Sequence, residues 1–162
     1  ARELGATKLA VGHNLDDEAQ SIMMNFVRGD FSRFHRLGAF SGVRDSRFVP
    51  RMKPLRDIPE KEIAAYAMLK GIEFAGEECP YSFDNVRRDM QGLLNDFELK
   101  YPGTKQQIAS FYDRIKPLLS YEGNIKECVE CGEPSSGETC KACDLLSKIR
   151  LHAKKKRPDQ SS

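Results

Sequence analysis

The spacing of apolar residues changes character along the chain. Thr7-Lys8-Leu9-Ala10-Val11 is a short, partly β-branched run bounded by Gly5 and Gly12, which predicts a buried strand. Asp16-Asp17-Glu18 then form an acidic first turn, which the positive end of a helix dipole favours. The helix that follows carries Ala19, Ile22, Met23 and Phe26 as one apolar stripe and stops at Gly29. From Arg28 to Arg47 the chain is basic with interleaved aromatics, and reads as loop with one helical turn. Phe48 to Leu55 is extended, because Pro50 and Pro54 each push the preceding residue out of the helical region. Pro59 opens a helix that runs to Gly71, and Ile72-Glu73-Phe74 is a short strand candidate. Two amphipathic helices follow, over about 83–101 and 104–119, split by Pro102-Gly103. Strand–helix alternation and then helices predict an α/β fold with a parallel sheet.

Composition narrows the class. The chain has 162 residues, of which 40% are hydrophobic and 31% charged. No apolar run approaches the roughly 20 residues that a membrane-spanning helix needs. Ala1-Arg2-Glu3-Leu4-Gly5 has no secretory apolar segment and reads as the end of a helix begun earlier. Without an initiator Met, the chain is expected to be the C-terminal piece of a longer, cytoplasmic protein.

The net charge is only +2, but it is unevenly spread. Lys148, Arg150, Lys154, Lys155, Lys156 and Arg157 face a single acid, Asp159, from Ser147 onward. A second basic stretch, Arg28 to Arg56, holds eight Lys or Arg against Asp30 and Asp45. Such patches on a near-neutral body suit a localised polyanion site; equally, solvated surface is often basic.

Four cysteines carry the strongest local signal. Cys128-Val129-Glu130-Cys131 and Cys140-Lys141-Ala142-Cys143 are two C-x-x-C pairs eight residues apart. Each pair offers two thiolates from one tight turn, so the four can surround one ion tetrahedrally, the ligand set of a structural Zn²⁺ site. Gly132 permits the chain reversal after the first pair. Disulfides are the competing account, disfavoured where thiols stay reduced. Cys79 stands apart, as a small buried hydrophobe or as a functional thiol.

Between strand and helix lies Gly12-His13-Asn14-Leu15-Asp16-Asp17. Ligands bind at the carboxyl ends of strands in open α/β sheets, where helix-start N–H groups meet phosphate and carboxylates hold Mg²⁺. Asp16 and Asp17 serve equally well as helix caps. The segment Gly12 to Ala19 resembles the second signature of the PP-loop ATP pyrophosphatases. With Arg51-Met52-Lys53-Pro54-Leu55, Glu78-Cys79-Pro80-Tyr81 and the four-cysteine segment Cys128 to Cys143, it is similar to the tRNA 2-thiouridine synthetases of the archaeal and eukaryotic cytosolic type. The resemblance runs from Gly5 to about Leu146.

That resemblance implies an ATP-dependent tRNA uridine 2-sulfurtransferase: adenylation of the uridine C2 oxygen, then displacement of AMP by sulfur. Asp16 is then the required active-site acid, and Gly12, His13, Asn14 and Asp17 line the nucleotide pocket. Cys79 is a catalytic-site cysteine and one ligand of a 4Fe-4S cluster, or a persulfide carrier; the cluster's two other cysteines are absent from this chain. Arg51 and Lys53 are candidates for tRNA or nucleotide phosphate, and Lys154, Lys155, Lys156 and Arg157 for tRNA. The implied partners are tRNA, a ubiquitin-like sulfur carrier or a sulfide donor, and a second subunit, identical or not; no membrane is implied. The implied organisation is a C-terminal part of a Rossmann-like nucleotide-binding domain over 1–78, a helical segment over 79–120, a zinc module over 121–147 and a disordered basic tail over 148–162. The family's first ATP motif, Ser-Gly-Gly-x-Asp-Ser, is not present, and Phe40-Ser41-Gly42-Val43-Arg44-Asp45-Ser46 is a decoy for it. This piece alone is therefore expected to be inactive. The competing expectation is a zinc-containing RNA-binding module without catalysis.

Overall fold

A computed structural model describes residues 1–39, 48–75, 86–119 and 125–155. They fall into two compact units, Ala1–Tyr121 and Glu122–Ser162. No described helix is long and apolar enough to cross a membrane.

In the first unit, β1 (Leu9–Ala10) pairs in parallel with β2 (Arg51–Met52), with Leu9 opposite Arg51. The Leu9 N–H donates to Pro50 and the Val11 N–H to Met52, at 2.9 and 3.0 Å. The expected strand is therefore present but not buried, Leu9 being 43% exposed. A parallel strand is buried by neighbours on both edges and helices on both faces, and among the described residues β1 has only β2 beside it.

Helix α1 (Leu15–Val27) starts on a capping box. Asn14 Oδ1 accepts from the Asp17 N–H at 3.0 Å, and Asp17 Oδ2 accepts from the Asn14 N–H at 3.3 Å, so two otherwise orphaned donors are satisfied reciprocally. Gly29, at φ +62°, closes the helix in the left-handed region. The buried face is Leu15, Ala19 and Ile22, at i, i+4 and i+7. Phe26, placed on the apolar stripe by its spacing, is instead 69% exposed. α1 packs against α2, α4 and α5, and none of these covers Phe26.

α2 (Phe31–His35) is the expected helical turn, and α3 (Glu60–Lys70) runs from Pro59 to a left-handed Gly71. Ile72 to Phe74 follow without forming a strand, so that expectation fails: the segment pairs with neither strand of the β1–β2 sheet. α4 (Val86–Lys100) and α5 (Thr104–Ile115) are joined by Gly103 at φ +89°. Glu98 reaches across this turn and accepts from the N–H groups of Gly103 and Lys105, at 2.7 and 2.9 Å. Burial raises the Glu98 pKa, but these two donors outweigh it and hold it below the ordinary value. The core is completed by Leu94, Ala109 and Tyr112, whose ring meets Phe34 edge to face at 5.0 Å.

In the second unit, β3 (Lys126–Glu127) and β4 (Pro134–Ser135) form an antiparallel pair, followed by α6 (Lys141–Lys155). The basic tail therefore does not begin as a disordered segment: Arg150, Lys154 and Lys155 belong to a helix.

Candidate functional site

The two C-x-x-C pairs come together as the spacing requires. The β3–β4 turn presents Cys128 and Cys131, and the start of α6 presents Cys140 and Cys143. Gly132, at φ +72°, lets its N–H turn back onto the Cys128 carbonyl at 2.8 Å. All four sulfurs lie within 4.8 Å of one another, and Cys131 and Cys140 are 3.7 Å apart. A tetrahedral ion with metal–sulfur bonds of about 2.3 Å sets its sulfurs about 3.8 Å apart, so the arrangement fits one metal ion. The Cys140 N–H donates to Cys128 Sγ at 3.2 Å and is the main reason that the Cys128 thiol falls to about 6. Cys143 goes the other way, to about 12, because Cys131 and then Cys140 share hydrogen bonds with its thiol. One thiolate is thus favoured before any metal arrives.

The loop after β1 is held by charge. Gly12 and His13 are exposed and Asn14 is partly buried in the capping box. Asp16 is buried: one carboxylate oxygen accepts from the Glu60 N–H at 2.7 Å, at the start of α3, and the other from Lys105 Nζ. Lys105 also donates to Asn95 at 2.6 Å. Asp17 stays a third exposed and accepts from Arg87 at 3.2 Å.

Glu18, the next residue, is fully buried and was missed in the sequence. Its carboxylate takes Lys53 Nζ at 2.5 Å and Arg56 Nε at 3.0 Å, and the terminal nitrogens of Arg56 form a bidentate pair with Asp113 at 2.7 and 2.9 Å. Burial works against the Arg56 charge, but Asp113 and Glu18 outweigh it and raise its pKa. Lys53, expected at phosphate, thus spends its ammonium inside the fold. No sequence signal marks Lys105 or Asp113, which lie 89 and 57 residues from their partners.

Arg51 is exposed at the start of β2. It lines a cleft of about 370 Å³ together with Arg28, Arg33, Arg36 and Arg87. Cys79 and its neighbours, the decoy segment 40–46, Lys156 and Arg157 lie outside the described residues, as do the side chains of Lys154 and Lys155.

No family-level profile matches the chain. It is 42% identical over 161 aligned residues to the tRNA 2-thiolation protein NcsA of Haloferax volcanii, covering 92% of this chain and 50% of that protein. It is 38% identical to the tRNA-5-methyluridine(54) 2-sulfurtransferase of Pyrococcus horikoshii, covering 88% and 47%, and 35% identical to the cytoplasmic tRNA 2-thiolation protein 1 of Xenopus laevis, covering 90% and 43%. Among solved structures it superposes on the U34-tRNA thiolase NcsA of Methanococcus maripaludis, described with its [4Fe-4S] cluster, with a TM-score of 0.74 and 32% identity over 91% of this chain and 47% of that one. The chain spans about half the length of the curated relatives it matches. With this identity and a shared α/β framework over about nine-tenths of its length, the chain belongs, over the residues present, to the tRNA 2-thiolation protein family.

Proposed function

We propose that this chain is part of an ATP-dependent tRNA uridine 2-sulfurtransferase of the cytoplasm. Similarity to thiolation proteins over about nine-tenths of the chain carries the reading. A carbonyl oxygen is a poor leaving group. The uridine C2 oxygen attacks the α-phosphate of ATP and pyrophosphate leaves; a sulfur nucleophile then adds at C2, and the C2–O bond breaks with release of AMP. Sulfur comes from a carrier thiocarboxylate or from sulfide.

In this reading Gly12, His13 and Asn14 border the nucleotide, and Asp17 is the carboxylate with enough exposure to meet Mg²⁺ or a ribose. Asp16 positions the loop, because its oxygens tie the start of α1 to α3 and α5. Cys128, Cys131, Cys140 and Cys143 hold Zn²⁺ with no open position, so this metal supports RNA binding and takes no part in bond making. Cys79 is the chain's one cysteine beyond that group and supplies one thiolate toward an iron–sulfur cluster, which would bind sulfide for transfer. One thiolate alone does not hold a cluster.

The test is nucleoside mass spectrometry of tRNA from cells expressing an Asp17→Asn or Asp16→Asn protein in place of the normal one. Loss of 2-thiouridine with tRNA binding retained is the expected result. Undiminished thiolation in both variants, or in cells lacking the gene, would replace this reading with a non-catalytic RNA-binding module.

A further inference from the structure

The five-arginine cleft has no role in the chemistry above. Its wall along α1 is a helical stripe, with Ser21, Met24, Asn25 and Arg28 following Asp17 on one face. At about 1.5 Å per residue, the stripe from Asp17 to Arg28 covers roughly 16 Å. The opposite walls bring Arg33 and Arg36 from α2, Arg51 from β2 and Arg87 from α4.

Among the described residues no carboxylate lines the cleft. Two of its arginines have acidic partners, Arg33 on Asp30 at 3.3 Å and Arg87 on Asp17 at 3.2 Å. Arg28 and Arg51 form no ion pair among the described residues, and Arg36 makes none either but acts on Asp30 through space. Arg36 is oriented instead by its Nε, which donates to the Ser32 carbonyl at 2.9 Å. Five guanidinium groups against two carboxylates, Asp17 and Asp30, leave a positive potential that a concave site focuses, and their planar forks match phosphate oxygens in pairs. Arg87 joins this site to the loop: Nε donates to Gln20 at 3.0 Å while Nη2 reaches Asp17, the N3 member of the capping box.

We propose that this cleft is the RNA-backbone clamp of the protein, gripping successive phosphodiesters of the tRNA strand beside the modified uridine so that the base reaches the Gly12–Asp17 loop. The inference rests on the thiolation reading and adds the site that orients its substrate. Charges strung along a helix face suit the repeating phosphates of a strand. The cleft's cations come from side chains of separate elements, an arrangement that suits phosphates spaced along a strand.

The test uses the intact protein, fluorescently labelled tRNA and a salt titration. Arg28→Ala/Arg36→Ala should weaken tRNA binding about tenfold at moderate salt and lower the slope of log K against log salt by about 1.5, the loss of two phosphate contacts. ATP affinity should stay unchanged in the same variant, and Lys70→Ala/Lys100→Ala should leave both quantities alone. Arg28→Lys/Arg36→Lys keeps the charge without the fork. It should hold the salt slope and still bind tRNA several-fold more weakly, and it decides the matter if the alanine variant does not fold. Unchanged tRNA affinity overturns the proposal, as does lost ATP affinity with tRNA binding intact, which would make the cleft a nucleotide-phosphate site. Failure of the thiolation reading shows separately, as normal 2-thiouridine in cells lacking the gene.

Discussion

Three consecutive acids at the start of α1 have three different environments. Asp16 closes on Lys105 and the α3 N-terminus, Asp17 caps its own helix and meets Arg87, and Glu18 is sealed between Lys53 and Arg56. Removing one partner of such a buried pair leaves the other charge stranded, at a cost of about 3–5 kcal/mol. Glu18→Ala should therefore lower the thermal midpoint sharply, whereas Asp144→Ala, which breaks only the exposed α6 pair with Lys148, should hardly move it. Equal shifts in a calorimeter would show that the buried network does not hold the unit together. Tyr112 gives a pH signature at the same scale. Its phenol is fully buried, donates to the Phe34 carbonyl at 2.6 Å, and is pushed up to about 12, by burial first and then by Glu18 and Asp113. The fold thus favours the neutral form. Its contribution, about 3 kcal/mol, is complete below pH 10, where the unfolded phenol ionises, and disappears as pH rises to about 12. Stability curves of the parent and Tyr112→Phe should converge across that window; a constant gap would refute the assignment.

At the scale of elements, the metal knuckle is a contact between a hairpin turn and a helix start, and neither half holds a metal alone. Cys140→Ser should cut bound zinc from about one equivalent per chain to near zero and free the N-terminal end of α6 from β3 and β4. Metal analysis with undiminished zinc in that variant would dismiss the site. The knuckle was legible because its ligands lie within sixteen residues, so local turn chemistry alone nearly closes the geometry. The helix ends were legible for a related reason: Gly29, Gly71 and Gly103 adopt backbone angles that other residues resist. The Ile72–Phe74 strand was misread because a strand needs a partner, and three apolar-flanked residues say nothing about one. The same ambiguity hid Phe26, whose spacing fits the buried stripe although no neighbour arrives to cover it.

Over the whole molecule, charge is distributed in two places with different kinds of support. The arginine cleft belongs to the first unit and is shaped by four elements, whereas Lys148, Arg150, Lys154 and Lys155 belong to α6. Cutting the intact protein after Arg150, which removes Lys154, Lys155, Lys156 and Arg157, should flatten the salt dependence of tRNA binding by up to about three units of slope. An unchanged slope would mean that the tail touches no phosphate.

The residues in order were enough to determine the ends of α1 and α3, the break between α4 and α5, the strand before the Gly12 loop, the four-cysteine group and the thiolation family, because each depends on neighbours close in the chain or on motif order; α6, expected in part as disordered tail, was not among them. Folding alone decided which acids are buried, that Lys53 serves Glu18, and that Arg87 meets Arg28, Arg33, Arg36 and Arg51 in one cleft. The physical reason is that desolvation and pairing of charge depend on distance in space. Residues separated by 35 to 89 positions carry no mark of such a meeting until helices α4 and α5 dock onto α1.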